Sequence, residues 1–181
     1  MMHFCITDFL ADIVENSLNA DSRHTQISII QDERNIEVTV TDTGKGMTEQ
    51  ELLLAQDPFT TDGKKHPGRK VGLGIPFLAQ AVAMTEGDFK ITSSPGKGTT
   101  VRFRFDLNHL DTPPLGDLSK TFRQVLTMPG DYELVIERTK NENSYSVSRS
   151  EIIDTLGEIS SAGSQNLLST YLESLEENGE S

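Results

Sequence analysis

Three glycine-rich stretches in the first hundred residues constrain this chain more than any other feature. Asp42-Thr43-Gly44-Lys45-Gly46 stands where an alternating apolar run stops, Gly72-Leu73-Gly74 stands where a helical pattern begins, and Gly96-Lys97-Gly98-Thr99 separates two β-type runs. Glycine lets a backbone come close to a ligand, and the free amides of a helix start are a seat for phosphate. Each stretch alone is an ordinary turn. Their order along the chain, between elements of changing type, carries the information.

The elements between them follow from periodicity. Phe9, Leu10, Ile13, Val14 and Leu18 recur at helical spacing and predict an amphipathic helix over 7–20. Residues 25–30 and 35–41 read as strands, the second alternating Ile36, Val38 and Val40, with a turn at 32–35. Thr48-Glu49-Gln50-Glu51 has the form of a capping box and opens a short helix over 48–55. Residues 57–74 hold four glycines, two prolines and five Lys, Arg or His side chains, which predicts a long loop of the kind that is functional or disordered. Pro76 suits the first turn of a helix ending near Met84, and strands follow at 89–93 and 100–105. Beyond that the pattern predicts a helix at 117–127, a hairpin at 131–149 and helical segments from Glu151 to about Leu175, with fraying from Glu173 onward. Leu167, Leu168, Tyr171, Leu172 and Leu175 form an apolar stripe, expected to pack on the chain's own core or else to serve a homodimer or partner.

Charge narrows the class of partner. The 181 residues carry a net charge of −12, which argues against nucleic acid as the main partner. No apolar run is long enough to span a membrane, the N-terminus lacks the form of a signal peptide, and the single Cys5 suits a reduced cytoplasm. The acidity is uneven: residues 1–110 hold 15 acids and 11 bases, residues 111–181 hold 13 acids and 5 bases. With Pro113-Pro114 and Gly116, that shift suggests a working domain over 1–110 and a small acidic α+β appendage over 111–181. A local basic cluster at Lys64, Lys65, His66, Arg69 and Lys70 runs against the overall sign and would attract a small anion.

Asp12 and Asn16 are four apart and share a helix face. A carboxylate and an amide oxygen are hard donors suited to Mg²⁺ with bound phosphates. In order, Glu15-Asn16-Ser17-Leu18-Asn19-Ala20, Asp42-x-Gly44-x-Gly46-Met47, Pro58-Phe59, Gly72-Leu73-Gly74-Ile75 and Gly96-x-Gly98-Thr99 resemble the Bergerat-fold (GHKL) ATP-binding domain over about residues 4–107. That superfamily includes DNA gyrase, a heat-shock chaperone, mismatch-repair ATPases and histidine kinases. The second half of the motif set is most similar to the histidine-kinase branch, and the first helix reads more like the mismatch-repair branch.

The resemblance implies a two-layer α+β sandwich, a mainly antiparallel mixed sheet covered by helices, and it implies ATP and Mg²⁺ as ligands. It implies that Asn16 ligates Mg²⁺ and that Asp42 accepts from the adenine amino group, with Gly44, Gly46 and Met47 turning under the base and Thr99 supporting it. It places Phe59 near the hinge of a lid, and Gly72, Leu73 and Gly74 on the phosphate side. Arg69 and Lys70, in the basic loop, are the expected phosphate contacts. Asp12 occupies the position of the glutamate that activates water in the ATP-hydrolysing branches, one methylene shorter, and is the candidate catalytic group. Asn19 stands where the kinase branch usually has a basic residue. No histidine lies on a helix suited to accept phosphate, so the expected function is transfer of the γ-phosphate to a separate protein partner. An ATP-gated switch or slow ATPase, or a nucleotide-binding module without catalysis, is the alternative.

Overall fold

A computed structural model describes residues 4–57 and 74–178. The apolar spacing of the N-terminal segment produces α1 (Ile6–Asn19), which buries Ile6, Phe9, Leu10, Ile13, Val14 and Ser17 along one stripe. Its first-turn amides have no intrahelical acceptor. Pro114 and Leu115 supply carbonyls to Ile6 and Thr7 at 2.9 and 3.0 Å, so the segment joining the two halves of the sequence is tied to the start of α1. Strands β1 (His24–Gln31) and β2 (Asn35–Asp42) follow, then α2 (Glu49–Gln56), α3 (Gly74–Met84), β3 (Asp88–Ser94) and β4 (Gly98–Asp106). The capping box forms as expected: Thr48 Oγ1 accepts from the Glu51 amide at 3.3 Å, and the Glu51 carboxylate accepts from the Thr48 amide at 2.9 Å.

The second half adds α4 (Leu118–Leu126), β5 (Glu133–Lys140), β6 (Asn143–Ser148), α5 (Arg149–Leu156) and α6 (Ala162–Asn178). All six strands form one sheet in the order β3-β4-β2-β1-β5-β6. Every neighbouring pair is antiparallel except β1 and β5, which run parallel with Ile27 opposite Ile136. The sheet is therefore mixed and mainly antiparallel, as the fold class requires.

Side chains alternate across the pleat. One face carries Ile27, Ile29, Ile36, Val38, Val40, Val101, Phe103, Phe105, Leu134 and Ile136, all buried in one core cluster with residues of helices α1, α3, α4, α5 and α6. The other face is polar and carries ion pairs, among them Arg102–Glu37 at 2.6 Å. The stripe on α6 divides: Leu168 and Leu172 are buried in the core, whereas Leu167 and Tyr171 are exposed. Fraying from Glu173 does not occur. Helix α6 continues to Asn178, because Glu176 is held by Arg138 at 3.2 Å and accepts from the Tyr145 hydroxyl. Among the described residues no helix is long and apolar enough to cross a membrane.

Candidate functional site

The end of β2, the start of β4 and the last turns of α1 meet around a cavity of about 590 Å³. Asn16, Asp42, Gly46, Met47 and Thr99 line it, with Ile13, Ile75 and Val101 as apolar wall. Asp42 is the buried anchor. Its Oδ1 accepts from the Gly44 amide at 2.8 Å and from the Thr99 amide at 3.2 Å, and its Oδ2 accepts from Ser17 Oγ at 2.9 Å. The turn after β2 thus folds back on the carboxylate that precedes it, and the Lys45 amide donates onward to the Ala20 carbonyl at 2.9 Å.

Two glycines are required here by geometry. Gly46 has φ +67°, and a Cβ on it would stand 1.9 Å from the Ser94 carbonyl oxygen. Gly98 has φ +85°, and a Cβ on it would stand 1.9 Å from the Asp42 carbonyl oxygen. Only glycine lets these two turns close on each other. Ser93 joins them: its hydroxyl takes the Met47 amide at 2.9 Å and lies 2.8 Å from Thr99 Oγ1.

Asn16 faces the cavity from α1. One helical turn earlier, Asp12 lies against the start of α3, so close that a Cβ on Gly74 would be 2.7 Å from its Oδ2. Burial raises the Asp12 pKa above the ordinary aspartate value, and the charges of Glu15 and Asp8 raise it further. The fold thus brings Asn16, Asp42, Gly46, Met47 and Thr99 together around the cavity, bonds the Gly44 amide to Asp42, and sets Asp12 and Gly74 side by side outside the cavity's lining. Phe59, Arg69, Lys70, Gly72 and Leu73 lie outside the described residues.

Ser17 and Ser93 are the site residues that motif reasoning passes over. Ser17 had one available signal, a small polar residue inside the apolar stripe of α1, four after Ile13. Ser93 had none, since its partners are set by the turn at Gly96-Lys97-Gly98. Asn16 fits a Mg²⁺ role chemically, as a single neutral oxygen donor of the kind that leaves most coordination positions to phosphates and water.

A mixed sheet with helices on one face, and a cavity between a buried carboxylate, two glycine turns and a helix-borne asparagine, defines a nucleotide-binding domain of the kinase-like ATPase class. Residues 6–109 match the model of the family described as histidine kinase-, DNA gyrase B-, and HSP90-like ATPase, and the chain belongs to that family. It is similar to the Non-motile and phage-resistance protein of Caulobacter vibrioides, 27% identical over 59% of this chain and 14% of that protein. Sporulation kinase A of Bacillus subtilis is 29% identical over 52% of this chain and 15% of its own length. Sensor histidine kinase RcsC of Salmonella typhimurium is 28% identical over 54% and 11%. The chain thus matches less than a sixth of the length of each of these relatives. What the family and the site share is an ATP-binding, kinase-like domain.

Proposed function

We propose that the cavity binds MgATP and that the chain passes the γ-phosphate to a separate protein. The observation that supports this best is Asp42, a buried carboxylate with three of its acceptor positions used and one open toward the cavity. A carboxylate only accepts, and the adenine edge offers an exocyclic amino donor. Asn16 lines the same cavity from α1, where it would hold a metal at the phosphates. Bound Mg²⁺ would neutralise phosphate charge. Arg69 and Lys70 are proposed as the side chains that contact the phosphates. Positioning and charge neutralisation are the main demands of phosphoryl transfer, and the acceptor hydroxyl or imidazole would come from the partner; two of the similar proteins are named as kinases.

One observation favours a second reading, a slow ATPase that works as an ATP-gated switch. Asp12 sits four residues before Asn16 with a raised pKa, which makes its carboxylate a stronger base for a water molecule. The test is incubation of the purified chain with MgATP labelled at the γ-phosphate, alone and with proteins that co-purify with it. Label on a partner supports transfer. Free phosphate lost in Asp12→Asn supports the switch. Calorimetry that finds no heat with MgATP sinks both.

A further inference from the structure

We propose that Ser17 is a positioning residue that aims Asp42 and makes the cavity select a purine edge with a single donor. The inference rests on the ATP reading above. An ionised carboxylate has about four acceptor positions, two on each oxygen. Oδ1 of Asp42 spends both on the backbone amides of Gly44 and Thr99. Oδ2 spends one on Ser17 Oγ at 2.9 Å. One position remains, on one oxygen.

That arithmetic decides which base fits. A carboxylate with both oxygens open can take two parallel donors, such as the ring N–H and amino group of guanine. With Oδ1 closed by the backbone, Asp42 can take only one donor, and the adenine edge offers one. Ser17 fixes where that position points. Its side chain is buried at 2% exposure on a helix whose packing is set by Ile13 and Val14. Its hydroxyl has two acceptors in reach, Asp42 Oδ2 and the Ile13 carbonyl at 3.1 Å, but a single hydrogen. The charged acceptor takes it. Because Ser17 follows Asn16 directly on α1, one turn of helix sets both the base-reading group and the proposed phosphate-end ligand.

The test is calorimetric titration of the full chain and Ser17→Ala with MgATP, MgGTP and the triphosphate of purine riboside, which lacks the 6-amino group. Wild type is expected to prefer ATP to the purine riboside triphosphate by about tenfold or more, the value of one hydrogen bond to a charged group. Ser17→Ala is expected to lower ATP affinity about fivefold and to leave the purine riboside triphosphate within about twofold, so that the ratio collapses. The preference for ATP over GTP should shrink with it. Ser17→Cys keeps the packing volume with a weaker donor and should show the same collapse, which separates the hydrogen bond from a cavity effect. Equal weakening of all three nucleotides, or no change in the ratio, overturns the proposal for Ser17 alone. Wild-type protein that takes up no nucleotide overturns the ATP reading and this inference with it.

Discussion

At the scale of single residues, the site turns on which atoms of Asp42 are already spoken for. In Asp42→Asn the amide oxygen must occupy the Oδ1 position, because the Gly44 and Thr99 amides both donate there. The amide nitrogen then faces Ser17 and the cavity. Ser17 can accept from it and turn its own hydrogen to the Ile13 carbonyl, so the fold should hold. A ligand amino group would meet a donor, and ATP binding should weaken by roughly 1–3 kcal/mol. Calorimetry beside a thermal melt checks this, and an unchanged Kd would show that the base meets another acceptor. Asp12 yields a pH prediction. Its pKa is raised in the folded chain by burial first and then by Glu15 and Asp8, so the folded state holds the proton more tightly than the unfolded state. Ionisation of Asp12 therefore costs stability as pH rises from the ordinary aspartate value through the raised one. Asp12→Asn should be more stable than wild type at pH 7, and the gain should vanish toward pH 3. Urea midpoints across that range test the sign; a gain that grows toward acid would refute it. Ser17 showed in the sequence only as a polar residue inside an apolar stripe and Ser93 not at all, since their meaning lies in partners 25 and 46 residues away.

Among the elements, legibility followed the range of the forces. Helix α1 could be read from its apolar spacing and α2 from its capping box, because both signals are local. The parallel pairing of β1 with β5 had no local signal: neither strand's sequence states its neighbour. The end of α6 was misread for the same reason. Glu173, Glu176 and Glu177 look like a solvated acidic end, yet Glu176 reaches Arg138, whose side chain is 2% exposed. Arg138 also donates to Gln31 at 2.5 Å and to the Thr139 carbonyl at 3.1 Å, so one guanidinium pins α6, β1 and β5 together. Glu176→Ala would leave that buried cation without its counter-ion. The expected loss is about 1–3 kcal/mol, part of the charge being screened because Glu176 is itself 20% exposed. Replacing both partners, Arg138→Met with Glu176→Leu, should recover part of it, since the buried charge is gone while Gln31, the Thr139 carbonyl and the Tyr145 hydroxyl each lose a partner. Urea denaturation of the three variants decides. A Glu176→Ala chain as stable as wild type would show that α6 is held by Leu168 and Leu172 alone.

In the whole molecule, the family match stops at residue 109 while the sheet and the core run on. Phe122, Leu134, Ile136 and Leu172 belong to the same buried cluster as Phe9, Ile27 and Phe103. The residues around the cavity are all in the first half, whereas the three tyrosines, Tyr132, Tyr145 and Tyr171, are all in the second, and the chain has no tryptophan. Tyrosine absorbance and near-ultraviolet dichroism therefore report on one half and nucleotide binding on the other. If the continuous sheet couples them, the chain unfolds in a single transition and ligand energy spreads through it. MgATP at a hundred times its Kd adds about 2.7 kcal/mol to the folded state. For a chain of this size that raises the midpoint by roughly 5–10 °C. The tyrosine signal should move by that full amount, in step with the far-ultraviolet signal. A tyrosine midpoint that stays still while the far-ultraviolet curve shifts or splits would show that the parallel contact between β1 and β5 transmits nothing. Residues 111–181 would then melt as a unit apart from the nucleotide site.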